Sequence, residues 1–320
     1  MANMLRPLHG KDWSGGGVNL ISNVKLAEEK YGEYFADDGL SVVFRNVVPG
    51  KLLFNDKFIY IPQNAWAWHG PTSGFCELRR RSLIRLCSEV AAKRAYRSIR
   101  IGPMIPKWSH SVTRLLPNVL DEHYETALAD CMLLSTPSWM PEKPYVIVPG
   151  SMWSYRNIQR VVEAFCDYQN TGGELELLIV GPPGCLGSDE ETVRYQRMMK
   201  RGIHIESNRV TRAEMLYAIR GSKICVLSSL VEASPVTALE AAALDVPVIA
   251  WDIPAYRYIA ESSKLLNFHF ANDVPSLVVA LNRRYESTSS AISSPKYRIA
   301  CRDWWIRQFI ELACDTSVSA

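Results

Sequence analysis

The sequence predicts an α/β protein with two Rossmann-like, doubly wound domains, and three observations carry that expectation. Short β-branched runs alternate with helical patterns through the second half of the chain. A proline-rich stretch at residues 135–144 divides it. Its 320 residues suffice for two ordinary domains.

In the second half the expected strands are residues 145–148, 175–180, 203–205, 224–227, 246–250 and 265–266. Between the first two, Ile158, Val161, Val162 and Phe165 recur at helical spacing, and Gly172-Gly173 closes the helix. Thr211 and Glu214 form a capping box that opens a helix through Met215, Leu216 and Ile219. Strands alternating with helices imply a parallel sheet covered on both faces. The first half offers fewer elements and predicts a compact domain. Its strands are expected at residues 40–44, 58–61, 99–101 and 115–116, with helices after Gly17 and filling much of residues 76–97. A last helix is expected over residues 296–313, with Trp304 and Trp305. The expected organisation is a domain at 1–136, a second at 137–295, and a C-terminal helix within 296–320 that packs back toward the first.

Hydrophobic residues make up 48% and charged residues 22%, the balance of a globular chain. A net charge of +3 is too small for a dedicated nucleic-acid binder. Arg6, Pro7 and His9 break the apolar start, so no leader run is read there, and no stretch reaches the length of a spanning helix. The eight cysteines are scattered, with no Cys-x-x-Cys pair, which predicts free thiols and a cytoplasmic location.

The stretch from Ser228 to Ala250 carries the chemistry. It begins where a buried strand ends, and Ser234 and Pro235 suit the N-cap and first position of a helix running to about Leu244. A loop at the C-terminal edge of a parallel sheet that feeds a helix is where such folds take ligands. The amides of Val236 and Thr237, at the positive end of that helix, suit a diphosphate. Glu232 precedes the helix and Glu240 is expected about two turns inside it.

Glu232, seven residues, Glu240-Ala-Ala-Ala and Asp245-Val-Pro-Val-Ile-Ala together resemble the signature of family-4 retaining glycosyltransferases of the GT-B fold. The likeness extends to Val148-Pro-Gly-Ser-Met-Trp-Ser-Tyr-Arg156, Leu178-Ile-Val-Gly-Pro-Pro-Gly184, Leu115-Leu-Pro-Asn-Val-Leu-Asp121 and Gly15-Gly-Gly17. The resemblance implies a donor site in which Glu232 contacts the sugar, Glu240 binds the ribose and Arg156 grips phosphate. Ser151, Ser234, Pro235, Val236 and Thr237 would line the diphosphate, Gly16 and Gly17 would let backbone approach it, and Val210 would lie near the base. It further implies a retaining hexosyltransferase whose donor is a nucleoside-diphosphate sugar, with no other cofactor; no Asp-x-Asp metal clamp stands out in the sequence, which predicts a metal-independent step. Ser151 stands where the family usually has an arginine, Arg156 takes its usual lysine position, and Asp245 replaces a common glycine.

His69 lies in an aromatic loop and is expected either at the transferred sugar or acceptor, or as a neighbour of Trp66 and Trp68 packing. Residues 79–114 carry ten Lys or Arg against the single acid Glu89. This basic stretch fits peripheral contact with an anionic membrane or a polyanion, or a solvated face, with Leu83, Ile84, Leu86 and Val90 lining the opposite, core side. Two rival functions stay open: a non-catalytic nucleotide-sugar-binding protein of the same fold, and a glycosyltransferase acting on modified nucleic acid.

Overall fold

The structure, a computed structural model, describes residues 41–43, 58–62, 65–69, 75–108, 113–181, 202–265, 267–283 and 291–314. Among them the elements run β1 (Ser41–Val43), β2 (Phe58–Tyr60), α1 (Trp66–His69), α2 (Phe75–Arg94), β3 (Arg97–Arg100), β4 (Thr113–Leu115) and α3 (Glu122–Leu133). There follow β5 (Tyr145–Pro149), α4 (Ile158–Asn170), β6 (Glu176–Val180), β7 (Ile203–Glu206), α5 (Arg212–Gly221), β8 (Ile224–Leu227) and α6 (Val236–Ala243). The last are β9 (Val248–Trp251), α7 (Pro254–Ser262), β10 (Phe268–Ala271), α8 (Val274–Leu281) and α9 (Pro295–Cys314). These residues divide between two compact units. One holds the described residues up to His123, Val231–Val236 and those from Lys296 on; the other holds Tyr124–Leu230 and Thr237–Pro295.

In the first unit the described strands lie in the order β1-β2-β3-β4, all parallel. Helix α9 buries Trp305, Ile306, Phe309 and Leu312, the two rings stacking 5.5 Å apart. Arg114 on β4 ties this helix down, donating to the Gln308 carbonyl at 3.2 Å and pairing with Glu311 at 3.0 Å. Helix α2 fills most of the expected stretch and stops at Arg94; Arg97 is buried and pairs opposite Ile59 as the first residue of β3. One expectation needs correction here. Leu83, Leu86 and Val90 do not line a core side; they are exposed, while Arg81, Ser88, Ala91 and Ala92 face inward.

The second unit carries a six-stranded parallel sheet, β10-β9-β8-β5-β6-β7. Val146, Val148, Leu177, Ile179 and Val226 from the strands pack with Phe165 of α4 and Leu277 of α8. The spacing that predicts α4 is the spacing it buries, and the left-handed Gly172 follows its last turn. The strand expected at residues 265–266 lies further on, as β10. Leu265 instead closes α7, its N–H donating to the Ala260 carbonyl at 2.9 Å, and Leu266 lies outside the described residues.

Thr211 caps α5 as a reciprocal box: its Oγ1 accepts from the Glu214 N–H, and the Glu214 carboxylate accepts from the Thr211 N–H at 2.7 Å. Thr211→Ala is expected to lower stability by about 1 kcal/mol in urea denaturation, the ordinary cost of losing an N-cap. An unchanged midpoint would show that the cap contributes nothing.

Candidate functional site

Strand β5 lies beside β8, its neighbour in space though far away in the chain. Connections leave these two strands in opposite directions along the sheet, so a crevice opens beyond their C-terminal ends, the place where doubly wound sheets take ligands. The residues after β5 and after β8 therefore decide what this unit can bind.

The chain leaves β5 through Gly150, whose φ of +119° favours glycine, and its N–H donates to the Val180 carbonyl at 2.8 Å. Gly181 lies so close that a Cβ there would overlap the Gly150 carbonyl and crowd the Ser151 nitrogen. The turn at Gly150-Ser151 is thus seated against the end of β6, with Ser151 half-buried. A 3-10 turn, Ser154–Arg156, follows, and Asn157 at φ +55° swings the chain into α4. Asparagine is among the few side chains that tolerate this left-handed region.

Arg156 is pinned by backbone and side chain. Its carbonyl accepts from Ser228 Oγ at 2.5 Å, and the Tyr155 carbonyl accepts from the Leu230 N–H at 2.8 Å. Its guanidinium lies over Gly150, where a Cβ would come within 3.7 Å of Cζ, and Nη1 donates to Ser229 Oγ at 2.9 Å. One cation therefore reaches from the end of β5 to the end of β8, across the point where the strand order reverses.

Helix α6 begins at Val236, one residue later than the sequence suggests. Ser234 is not its N-cap. The Ser234 hydroxyl instead accepts from the Asn118 N–H at 2.8 Å, and its carbonyl accepts from Asn118 Nδ2 at 3.3 Å. Pro235 is buried, directly before the helix. The first amides of any helix, here those of Val236 and Thr237, lack intrahelical acceptors. Glu240 lies just over one turn in, nearer the N-terminus than expected, and is buried. Its Oε1 accepts from Arg212 Nε at 2.9 Å and Nη2 at 2.8 Å. Cys225 on β8 also registers Glu240: burial first, and that carboxylate second, push the thiol pKa up.

Arg212 is the residue that sequence reasoning missed. It opens α5, and a cation in a first helical turn opposes the helix dipole. That placement needs an acid elsewhere, and Glu240 supplies it; Arg212 also lies 5.8 Å above the Tyr124 ring. Ser228 and Ser229 were likewise unassigned, since nothing in their spacing says that both hold Arg156.

Glu232 is half-buried in the coil before α6. Val210 is half-buried in the loop between β7 and α5, where the Asn208 N–H donates to Glu206 Oε1 at 2.6 Å. His69 ends the short helix α1 rather than lying in a loop, and its side chain is exposed. Its neighbour Trp68 packs edge-on against Trp108 at 6.2 Å. Gly16 and Gly17 lie outside the described residues.

Parallel sheets with a basic crevice at the strand reversal define an α/β protein of the GT-B glycosyltransferase fold, and the solved structures it resembles share that fold. Residues 137–289 match the family model described as glycosyl transferases group 1. A sucrose-phosphate synthase from Thermosynechococcus elongatus superposes with a TM-score of 0.57 at 18% identity, over 92% of this chain and 74% of that one. A UDP-forming α,α-trehalose-phosphate synthase from Burkholderia xenovorans gives 0.63 at 11%, over 94% and 79%. WaaG, a glycosyltransferase involved in lipopolysaccharide biosynthesis, gives 0.54 at 14%, over 97% and 82%. No curated protein matches the chain by sequence.

Proposed function

We propose that the chain transfers a sugar from a nucleoside-diphosphate sugar to an acceptor hydroxyl of a glycan, a lipid-linked molecule or a small molecule, with retention at the anomeric carbon. The observation that carries the reading is Arg156, held across the ends of β5 and β8 where an anionic ligand would lie. The bond between the anomeric carbon and the diphosphate breaks, and the acceptor oxygen bonds to that carbon on the same face. The acceptor proton passes to the departing phosphate oxygen. No divalent ion takes part at this step.

Arg156 stabilises charge on the leaving diphosphate, with the amides of Ser151, Val236 and Thr237. An arginine serves here because it stays charged and can grip two phosphate oxygens at once. Glu232, beside Ser234 and Pro235, orients the sugar hydroxyls. Glu240 accepts from the ribose through Oε2, Arg212 holding Oε1, and Val210 borders the base. From the family resemblance, Gly16 and Gly17 allow backbone near the phosphates, and His69 contacts the sugar or the acceptor. An acceptor at a membrane or on a polyanion would be met through the basic stretch 79–114.

Thermal-shift measurements with UDP-, GDP-, ADP- and TDP-linked sugars test donor binding, since a ligand at 100 times its Kd adds about 2.7 kcal/mol. Glu232→Ala is expected to lose donor hydrolysis and transfer. Arg156→Ala should lower kcat about 100-fold, as loss of one group stabilising the leaving charge does elsewhere. A wild type that binds a donor but neither hydrolyses nor transfers its sugar would leave the non-catalytic reading in its place.

A further inference from the structure

We infer that helix α2 docks the protein on an anionic lipid surface, through a face that interleaves large aliphatic side chains with cations. Leu78, Leu83, Leu86 and Val90 are 50, 60, 61 and 40% exposed. Arg79, Lys93 and Arg94 are exposed on the same helix. At 3.6 residues per turn these seven fall within one arc of roughly 160°. One acid, Glu89, lies within that arc, about 20° inside its edge at Leu78 and half-buried, against three exposed cations. The inward side buries small or polar groups, Ser88, Ala91, Ala92 and Arg81, with Ile84 half-buried among them as its one described large aliphatic. Ordinarily the large aliphatics of a helix on a globular protein face the core. Here they face out, among cations.

Charge selects the occupant. Interfacial helices lay leucines into the boundary between headgroups and acyl chains while their Lys and Arg meet anionic headgroups. A second copy of the chain would bring Arg79 and Lys93 against the same charges. A nucleic acid would leave the four aliphatic side chains against sugar and phosphate. Helix α2 lies along the surface rather than through it, because no helix among the described residues is long and apolar enough to cross a membrane. The inference deepens the acceptor side of the proposed function, and its test needs no turnover.

The test is sedimentation of the full chain with vesicles of phosphatidylcholine alone or mixed with phosphatidylglycerol. The wild type is expected to sediment with the mixed vesicles, roughly tenfold more weakly with phosphatidylcholine alone, and to be released by salt. Arg79→Gln with Lys93→Gln should weaken binding roughly thirtyfold, at about fivefold per cation. Leu83→Ser with Leu86→Ser should weaken it at least as much; Leu86→Gln alone is the milder variant should the pair fold poorly. Wild-type binding that ignores lipid charge, or that survives the leucine substitutions, overturns the inference. So does capture by polyglutamate without vesicle binding, which would point to an acidic protein partner. Donor hydrolysis in solution, measured on the same samples, should be unchanged in the leucine variants. Its absence from the wild type would count against the proposed transferase activity and leave the vesicle result standing.

Discussion

Replacing Glu240 by alanine is expected to lower stability by about 3 kcal/mol and to abolish donor binding, two effects with separate causes. The Glu240 side chain is 10% exposed and that of Arg212 27%, so their pair is largely withdrawn from water. Removing one partner of such a pair typically costs about 3–5 kcal/mol. The partial exposure of Arg212 puts the expectation at the lower end. For a domain of this size the melting temperature should fall by about 6–12 °C. Glu240→Ala combined with Arg212→Met should recover most of that stability, because neither charge is then left buried. Donor binding should not return, because the ribose still lacks its acceptor. Denaturation melts and donor titrations on the two variants separate the roles. If the double variant binds donor like the wild type, Glu240 has no part in the nucleotide site.

Gly181→Ala is the second large effect expected. A Cβ there would overlap the Gly150 carbonyl, and that turn has little room to yield because Gly150 N–H is bonded to Val180 and Arg156 lies across it. Overpacking at a rigid site costs about 3 kcal/mol at its upper range. The functional consequence should exceed the structural one. Any shift of residues 150–151 carries the Arg156 guanidinium with it, and a misplacement of about 1 Å can cost roughly 100-fold in rate. Gly172→Ala is the control. It also has a positive φ, +91°, but a Cβ there meets nothing within 4 Å, so only backbone strain of about 1–2 kcal/mol is expected, with turnover intact. Equal losses of activity in both variants would remove the proposed link between the Gly181 contact and Arg156.

What could be read in advance follows from what is local. The Thr211 box, the α4 stripe and the strand at Ile224–Leu227 all announce themselves within a few residues, and each is found where its pattern says. Misreadings came where a local pattern served a different end. The Leu265-Leu266 pair has strand composition, yet Leu265 seals the end of α7. Leu83, Leu86 and Val90 have core composition, yet sit on the outer face of α2. Helix α8 escaped notice because its box pairs Asp273 with a serine, Ser276, rather than with the usual Glu or Gln.

By itself the sequence determined the alternation of strands and helices and the residues that follow each strand, since periodicity, caps and turn-forming glycines act over one or two turns of chain. Only the tertiary structure decided that β5 lies beside β8 and that Arg156 bridges their ends. It alone also paired Glu240 with Arg212. Those relations join residues 28 to 78 positions apart. They depend on how the sheet pairs its strands, for which no short stretch of sequence carries a signal.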